Sequence, residues 1–310
     1  MNSAHSAILL PESIVFTNVT SFIRIMNVFY TYSDQKVAYF HLSAYNSRKI
    51  DLLSVLLLYK FLEYSLINKC FSNPTFDYLD NIKKDISEFG FESLISECFN
   101  DYKKAEIEYL NLKPHINKKN FLVSPITIFK GSKNRQSIES GCFDKIQDYY
   151  GNGDEADMIF TIMCELIGNF YSHSNDSCKS IIVAYGDNRT VEIACADSGV
   201  GIITSLRDTY PWKDANRLLE HAMKRGITSK PMTDHIGNGL WSIDEIVKRN
   251  SGRLLVYSER SMYKRIGSKS FCSCVPEWKG TIVHVKLDLS HPVNLKDILH
   301  PIRTIKVRFK

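Results

Sequence analysis

Residues 180–196 constrain this chain more than any other segment. Two apolar stretches rich in β-branched residues, 180–185 and 190–196, flank the turn residues Gly186-Asp187-Asn188. That spacing predicts an antiparallel hairpin. Upstream, Asp154 is placed to cap a long helix over 154–172, with Ile159, Ile162, Met163, Leu166 and Phe170 on one stripe. Further helices are expected over 143–150, 212–224 and 239–249, the last stopped by Ser251-Gly252. Strands are expected over 121–129, 253–258 and 281–289. Helices and an antiparallel or mixed sheet in this order predict an α+β two-layer sandwich for the second half of the chain.

The first half mixes both element types. Residues 13–16 and 36–41 read as strands, and 19–30 as a helix. Asp51 can cap a second helix carrying Leu52, Leu53, Val55, Leu56, Leu57 and Leu58, apolar nearly all round and therefore buried. Helical patterns follow over 76–89 and 91–112, and Pro114 stops the second. The stretch 113–139, with Pro114, Pro125, Gly131 and a charged run, reads as a boundary. With 310 residues the chain has room for about two domains of roughly 150 residues each. The expected division is an α/β domain over 1–125 and the sandwich over 126–310, α/β overall.

Composition removes several classes. At 44% hydrophobic and 24% charged residues the chain is neither disordered, collagen-like nor a disulfide scaffold. A net charge of +5 permits an acidic partner without demanding one. The most apolar stretch, 52–66, is interrupted by Lys60 and Glu63, so no membrane span is expected. The N-terminus lacks the blocks of a signal peptide, and the eight cysteines form no Cys-x-x-Cys pair. Reduced thiols, a cytoplasmic location and no membrane partner are the expectation. The basic residues of the C-terminal tail alternate with Ile302, Ile305, Val307 and Phe309, which favours a terminal strand over a nucleic-acid contact.

Four short motifs carry the chemistry. Glu165, Asn169 and His173 stand at i, i+4 and i+8 of the long helix and so lie near one face. There a carboxylate can deprotonate a water, and a carboxamide oxygen can ligate a hard cation such as Mg²⁺. Next, Asp197-Ser198-Gly199-Val200-Gly201 follows a strand directly. Its glycines let backbone pass close to a flat ligand, and its aspartate can accept from an exocyclic amine. Gly237-Asn238-Gly239-Leu240 then enters a helix, whose N-terminal N–H groups suit an anion. The last motif, Gly280-Thr281, opens the final long strand. The third is not a Walker A loop, since no Gly-Lys-Ser or Gly-Lys-Thr follows, and it also fails the dinucleotide fingerprint.

Taken in order over about residues 140–289, these motifs resemble the GHKL superfamily of Bergerat-fold ATPases, which includes gyrase, the ninety-kilodalton heat-shock chaperones, histidine kinases and the mismatch-repair ATPases. The stretch from Gly237 to Leu254 is similar to the histidine-kinase version. The resemblance implies ATP and Mg²⁺ as cofactors, with Asn169 holding Mg²⁺ against the phosphates. It implies that Asp197 reads the adenine amino group, that Gly199 and Gly201 shape that pocket, and that Thr281 supports it. Gly237, Asn238, Gly239 and Leu240 would wrap the phosphates, and Glu165 would activate the attacking water. Residues 203–236 would form a mobile lid, and Lys230 within it would reach the γ-phosphate.

The expected function is a Mg²⁺-dependent ATPase whose lid drives a conformational switch. A serine/threonine protein kinase of the anti-sigma-factor type and a non-catalytic nucleotide sensor are the alternatives. None of the upstream histidines His5, His41 and His115 has an acidic neighbour, which argues against a phosphoacceptor histidine. Two departures from the family stand out. Trp241 replaces a glycine and is expected to pack under the lid, and 260–279 is a long insertion read as an exposed loop, an interaction hairpin or a spacer. A protein partner or a homodimer is expected through the N-terminal domain or that insertion. The N-terminal domain loosely resembles the small STAS modules that accompany some bacterial ATPases.

Overall fold

The computed structural model describes residues 5–9, 13–15, 18–31, 39–44, 49–67, 74–78, 80–100, 120–128, 135–173, 180–212, 214–229 and 237–299. The N-terminal part contains β1 (His5–Leu9), β2 (Ser13–Ile14), α1 (Val19–Thr31), β3 (Tyr39–Ala44), β4 (Lys49–Ile50), α2 (Leu52–Ile67), β5 (Pro74–Tyr78), α3 (Asp80–Glu88) and α4 (Glu92–Asn100). Strands β1, β3 and β5 form a parallel sheet in that order. β2 and β4 pair separately. Two differences from expectation arise here. Strand β1 is additional, and the helix expected from residue 76 begins as β5. Pro74 opens a strand without needing a donor, and the strand pairs parallel with β3 from Phe40 opposite Pro74 to Ala44 opposite Tyr78.

The second part contains β6 (Phe121–Ile128), α5 (Arg135–Tyr150), α6 (Asp154–His173), β7 (Ser180–Gly186), β8 (Thr190–Ala196), α7 (Gly201–Arg207), α8 (Ala215–Ala222), α9 (Gly239–Arg249), β9 (Arg253–Ile266), β10 (Lys269–Asp288) and α10 (Lys296–Leu299). Its five strands form one sheet in the order β6-β7-β8-β10-β9, every pairing antiparallel. β7 and β8 are the expected hairpin, with Ile181 opposite Ala196. The chain is thus a mixed α/β protein. β6 spans the expected boundary at residue 125.

The side-chain alternation of the sheet sorts its residues onto two faces, and both are buried. Ile182, Ala184, Ile193, Cys195, Leu254, Val256, Val283 and Val285 pack with α5, α6 and α9 in one core. The alternate residues Ile181, Val183, Ala194, Ala196, Leu255, Tyr257 and Ile282 pack with α1, α2 and α4 in a second. The second half alone is the two-layer arrangement expected, and the N-terminal helices add a third layer. Residues 52 through 63 of α2 are all buried, which explains why that helix is apolar all round. Polar contacts join the layers as well. Asn27 Nδ2 donates to the Glu277 carbonyl and Lys279 Nζ to the Tyr64 hydroxyl at 3.1 Å.

The 260–279 insertion is neither a loop nor a spacer. It lies within β9 and β10, which continue as a bulged hairpin past the edge of the sheet. The hairpin folds back until the Gly267 N–H reaches the Gly252 carbonyl at 2.9 Å. A buried bidentate pair pins it to α9, with Arg265 Nη2 donating to Asp244 Oδ2 at 2.7 Å and the Tyr263 hydroxyl to Asp244 Oδ1 at 2.8 Å. The α8 helix, capped by Asp214 accepting from the Arg217 N–H, packs under the same hairpin. The C-terminal tail from residue 300 lies outside the described residues, as does the strand expected there.

Candidate functional site

A cavity of about 430 Å³ opens between α6, the end of β8, α7, the 226–229 segment, the start of α9 and β10. Its lining includes Glu165, Asn169, Asp197, Gly201, Gly237, Asn238, Gly239, Leu240 and Thr281. The sheet and α6 therefore gather nine of the expected residues from four motifs. Gly199 is not in the lining; its N–H instead donates to Asp197 Oδ1 at 2.7 Å and fixes that carboxylate. Lys230 lies outside the described residues. His173 ends α6, and its side chain is likewise outside them.

Asp197 follows β8 in the middle of the sheet, beside β10. Its N–H donates to the Thr281 carbonyl at 2.9 Å, which brings the second and fourth motifs together. Gly280 makes that approach possible. Its φ is +110°, and a Cβ there would stand 2.2 Å from the Asp197 carbonyl oxygen. The carboxylate is nearly buried, and burial raises its pKa. The Gly199 N–H, the Lys60 charge and bonds from Thr281 pull it back down. Cys195 and Val283 add apolar surface to the lining.

The other expected pair comes from α6. Glu165 and Asn169 face the first turn of α9 so closely that a Cβ on Gly239 would stand 2.7 Å from Glu165 Oε2 and 3.8 Å from Asn169 Oδ1. The Asn238 side chain does not cap α9, and its buried Oδ1 has no hydrogen-bond partner. An uncapped helix start beside a carboxylate and a carboxamide can receive an anion together with a cation. Burial raises the pKa of Glu165, Arg135 lowers it and Glu139 raises it. These last two residues, linked to each other at 2.7 Å on α5, were not anticipated. They stand on a different helix, and no local spacing ties them to the motif.

The described part of the expected lid holds the end of α7 and all of α8, joined and followed by turns. Leu218, Leu219 and Ala222 of α8 are buried. Tyr210 stacks on Trp212, and His221 meets both rings edge-on. The Gly226 N–H donates to the Gly237 carbonyl at 3.0 Å. Arg225 lies over the Trp241 ring at 4.8 Å, so the indole meets a residue of the expected lid.

Among the described residues no three His, Cys, Asp or Glu side chains cluster as a metal cage, and all six cysteines are free. Nor is any helix there long and apolar enough to cross a membrane. No protein-family model matches the chain, and no curated protein matches its sequence.

Proposed function

We propose that the chain is a GHKL-type ATP-binding protein that hydrolyses ATP with Mg²⁺ and couples turnover to movement of the 203–236 segment. One observation carries this reading: a single cavity collects Glu165, Asn169, Asp197, the 237–240 turn and Thr281, which are scattered over more than a hundred residues of sequence. Its volume is ordinary for a site that holds a small organic ligand. The partnerless Asn238 Oδ1, and the approach of Gly239 to Glu165 that leaves no room for a Cβ, are features expected of a site shaped around a polar ligand.

Each residue has a definite task in this reading. Asp197 accepts a hydrogen bond from the exocyclic amine of the base, with Gly199 and Thr281 holding the carboxylate in place. Residues 237–240 offer backbone N–H groups to the phosphates. Asn169 would hold Mg²⁺, a hard cation that needs few protein ligands and would offset phosphate charge. The bound nucleotide supplies a phosphoanhydride whose terminal phosphoryl group can pass to water. Glu165 orients that water and takes its proton, a task that suits a carboxylate with a raised pKa.

Incubation with γ-labelled ATP, alone and with soluble cell proteins, tests the reading. Free labelled phosphate is the expected product, and label on protein would move the assignment to a serine/threonine kinase. Asp197→Asn should abolish binding, and Glu165→Ala should keep binding and lose turnover. A Glu165→Ala protein that hydrolyses ATP as fast as the parent would remove Glu165 as the base.

A further inference from the structure

Among the described residues the large hydrophobic side chains left exposed are Val200, Ile266 and Phe271, and the last two, 48% and 50% exposed, stand together near the tip of the β9–β10 hairpin. The two-residue loop Gly267-Ser268, with φ +54° at the glycine, fixes the register there. Ile266 lies opposite Lys269, and Phe271 opposite Lys264. Residues directly opposite in an antiparallel pair share a face, as do alternate residues of one strand. Ile266, Phe271, Lys264 and Lys269 therefore form one outward face. The intervening Tyr263 and Arg265 point the other way and are buried against Asp244 of α9.

This face is braced and basic. Arg265 Nη1 donates to the Ser268 carbonyl at 3.2 Å, and the Gly267 N–H to the Gly252 carbonyl at 2.9 Å. The tip thus lies against the turn between α9 and β9, flanked by the exposed Lys248, Arg249 and Arg253. Glu245 pairs with Lys248 and Arg249 and offsets part of that charge. Area and charge narrow what can cover such a face. A stable protein interface takes about 800 Å² from each partner, and two half-exposed side chains offer a small part of that. A second copy across a two-fold axis would set the same cations against themselves. A bilayer needs no matching pocket. It receives apolar side chains at the headgroup boundary, and each nearby Lys or Arg adds attraction to anionic lipid.

We propose that the outward face of the hairpin tip docks on an anionic phospholipid surface, with Ile266 and Phe271 seated among the headgroups and Lys264, Lys269, Lys248, Arg249 and Arg253 held against the lipid charge. The expectation of no membrane partner weighed spanning segments and a signal peptide, and surface docking requires neither. None of these residues lines the nucleotide cavity, so the docking face stands apart from the nucleotide reading.

Flotation of the full chain with phosphatidylcholine vesicles, with and without about one-third phosphatidylserine, tests the proposal. The parent should bind the anionic vesicles and not the neutral ones, and binding should weaken at least about 10-fold in about 1 M salt, where charges are screened beyond about 3 Å. The exposed Lys269 and Arg253 should each be worth about 5-fold, read in Lys269→Gln and Arg253→Gln. Phe271→Ser and Ile266→Ser should each weaken binding about 10-fold with the thermal melt unchanged. In Phe271→Trp, brominated acyl chains should quench the added emission. A parent that ignores anionic vesicles, or binds neutral ones equally, overturns the proposal. So does binding that survives both serine variants, or Phe271→Trp emission left unquenched, since either reduces the contact to adsorption of charge. A dimer in sedimentation that Phe271→Ser breaks would give the face to a second copy. Retention on immobilised polyglutamate that needs Phe271 would give it to an acidic protein. Both results also overturn the proposal.

Discussion

The approach of Gly239 to Glu165 offers the most decisive test of the site. In Gly239→Ala the new methyl carbon would stand 2.7 Å from Glu165 Oε2. An ordinary contact between these atoms begins at about 3.4 Å, so one side must yield by about 0.7 Å. The Ala carbon is fixed to the first turn of α9, whereas the carboxylate is the far end of a flexible side chain. Glu165 therefore moves and the fold does not. Alanine is a better helix former than glycine by about 1 kcal/mol, so thermal stability should hold or rise. A displacement of this size at a general base costs on the order of 100-fold in rate. Binding should stay within about 3-fold of the parent, because the backbone N–H of residue 239 is retained. The assay is a phosphate-release time course at saturating Mg·ATP, beside a thermal melt and a nucleotide titration. A stable, nucleotide-binding Gly239→Ala that turns over at the parent rate would refute both the role of Glu165 and the meaning given to its close approach to Gly239.

Gly280→Ala should lose roughly 2–4 kcal/mol in urea unfolding, with or without nucleotide, because its Cβ would strike the Asp197 carbonyl at φ +110°; an unchanged midpoint would contradict the packing of β10 against residue 197. ATP turnover should rise with pH through a limb above the ordinary glutamate value of about 4.3, since burial raises the Glu165 pKa and only the carboxylate can act as base. Arg135→Ala should move that limb up and Glu139→Gln should move it down, and limbs that coincide with the parent's would sever α5 from the site. Glu192, bonded to His284 and Lys286, has its pKa lowered to about 2 even though burial alone would raise it. Its stabilisation is full above the unfolded value of about 4.3 and is lost as pH falls toward the folded one, so Glu192→Gln should cost roughly 1–3 kcal/mol near neutral pH and almost nothing near pH 2; a loss independent of pH would point to shape rather than charge.

The elements that could be read from the sequence are those whose reason is local. The β7–β8 hairpin is written in its turn and flanks, and α6 in its apolar stripe. The four motifs were legible because each needs only a few neighbouring residues on one helix or at one strand end. Gly199 shows the limit of such reading, since its N–H serves the aspartate two residues back instead of lining the cavity. The 260–279 hairpin shows a different limit. Nothing near Arg265 in sequence reveals that it will pair with Asp244 across α9, so a well-ordered extension reads as an insertion. Arg135 and Glu139 were missed for the same reason, because their influence on Glu165 exists only once α5 packs on α6.

The third layer was half legible, and the missing half is instructive. Residues 181–184 are apolar at every position instead of at every second one, which a strand shows when both its faces are covered. α2 is apolar all round, which a helix shows when nothing around it is water. Each fact states that a partner exists, and neither names it; apolar surfaces carry no address. Lys60 interrupts the apolar run of α2. A charge at the centre of such a helix is expensive anywhere except beside an opposite charge. Glu63, one turn away, supplies that charge, so a residue that reads in sequence as a mere break in an apolar run is matched within the helix itself.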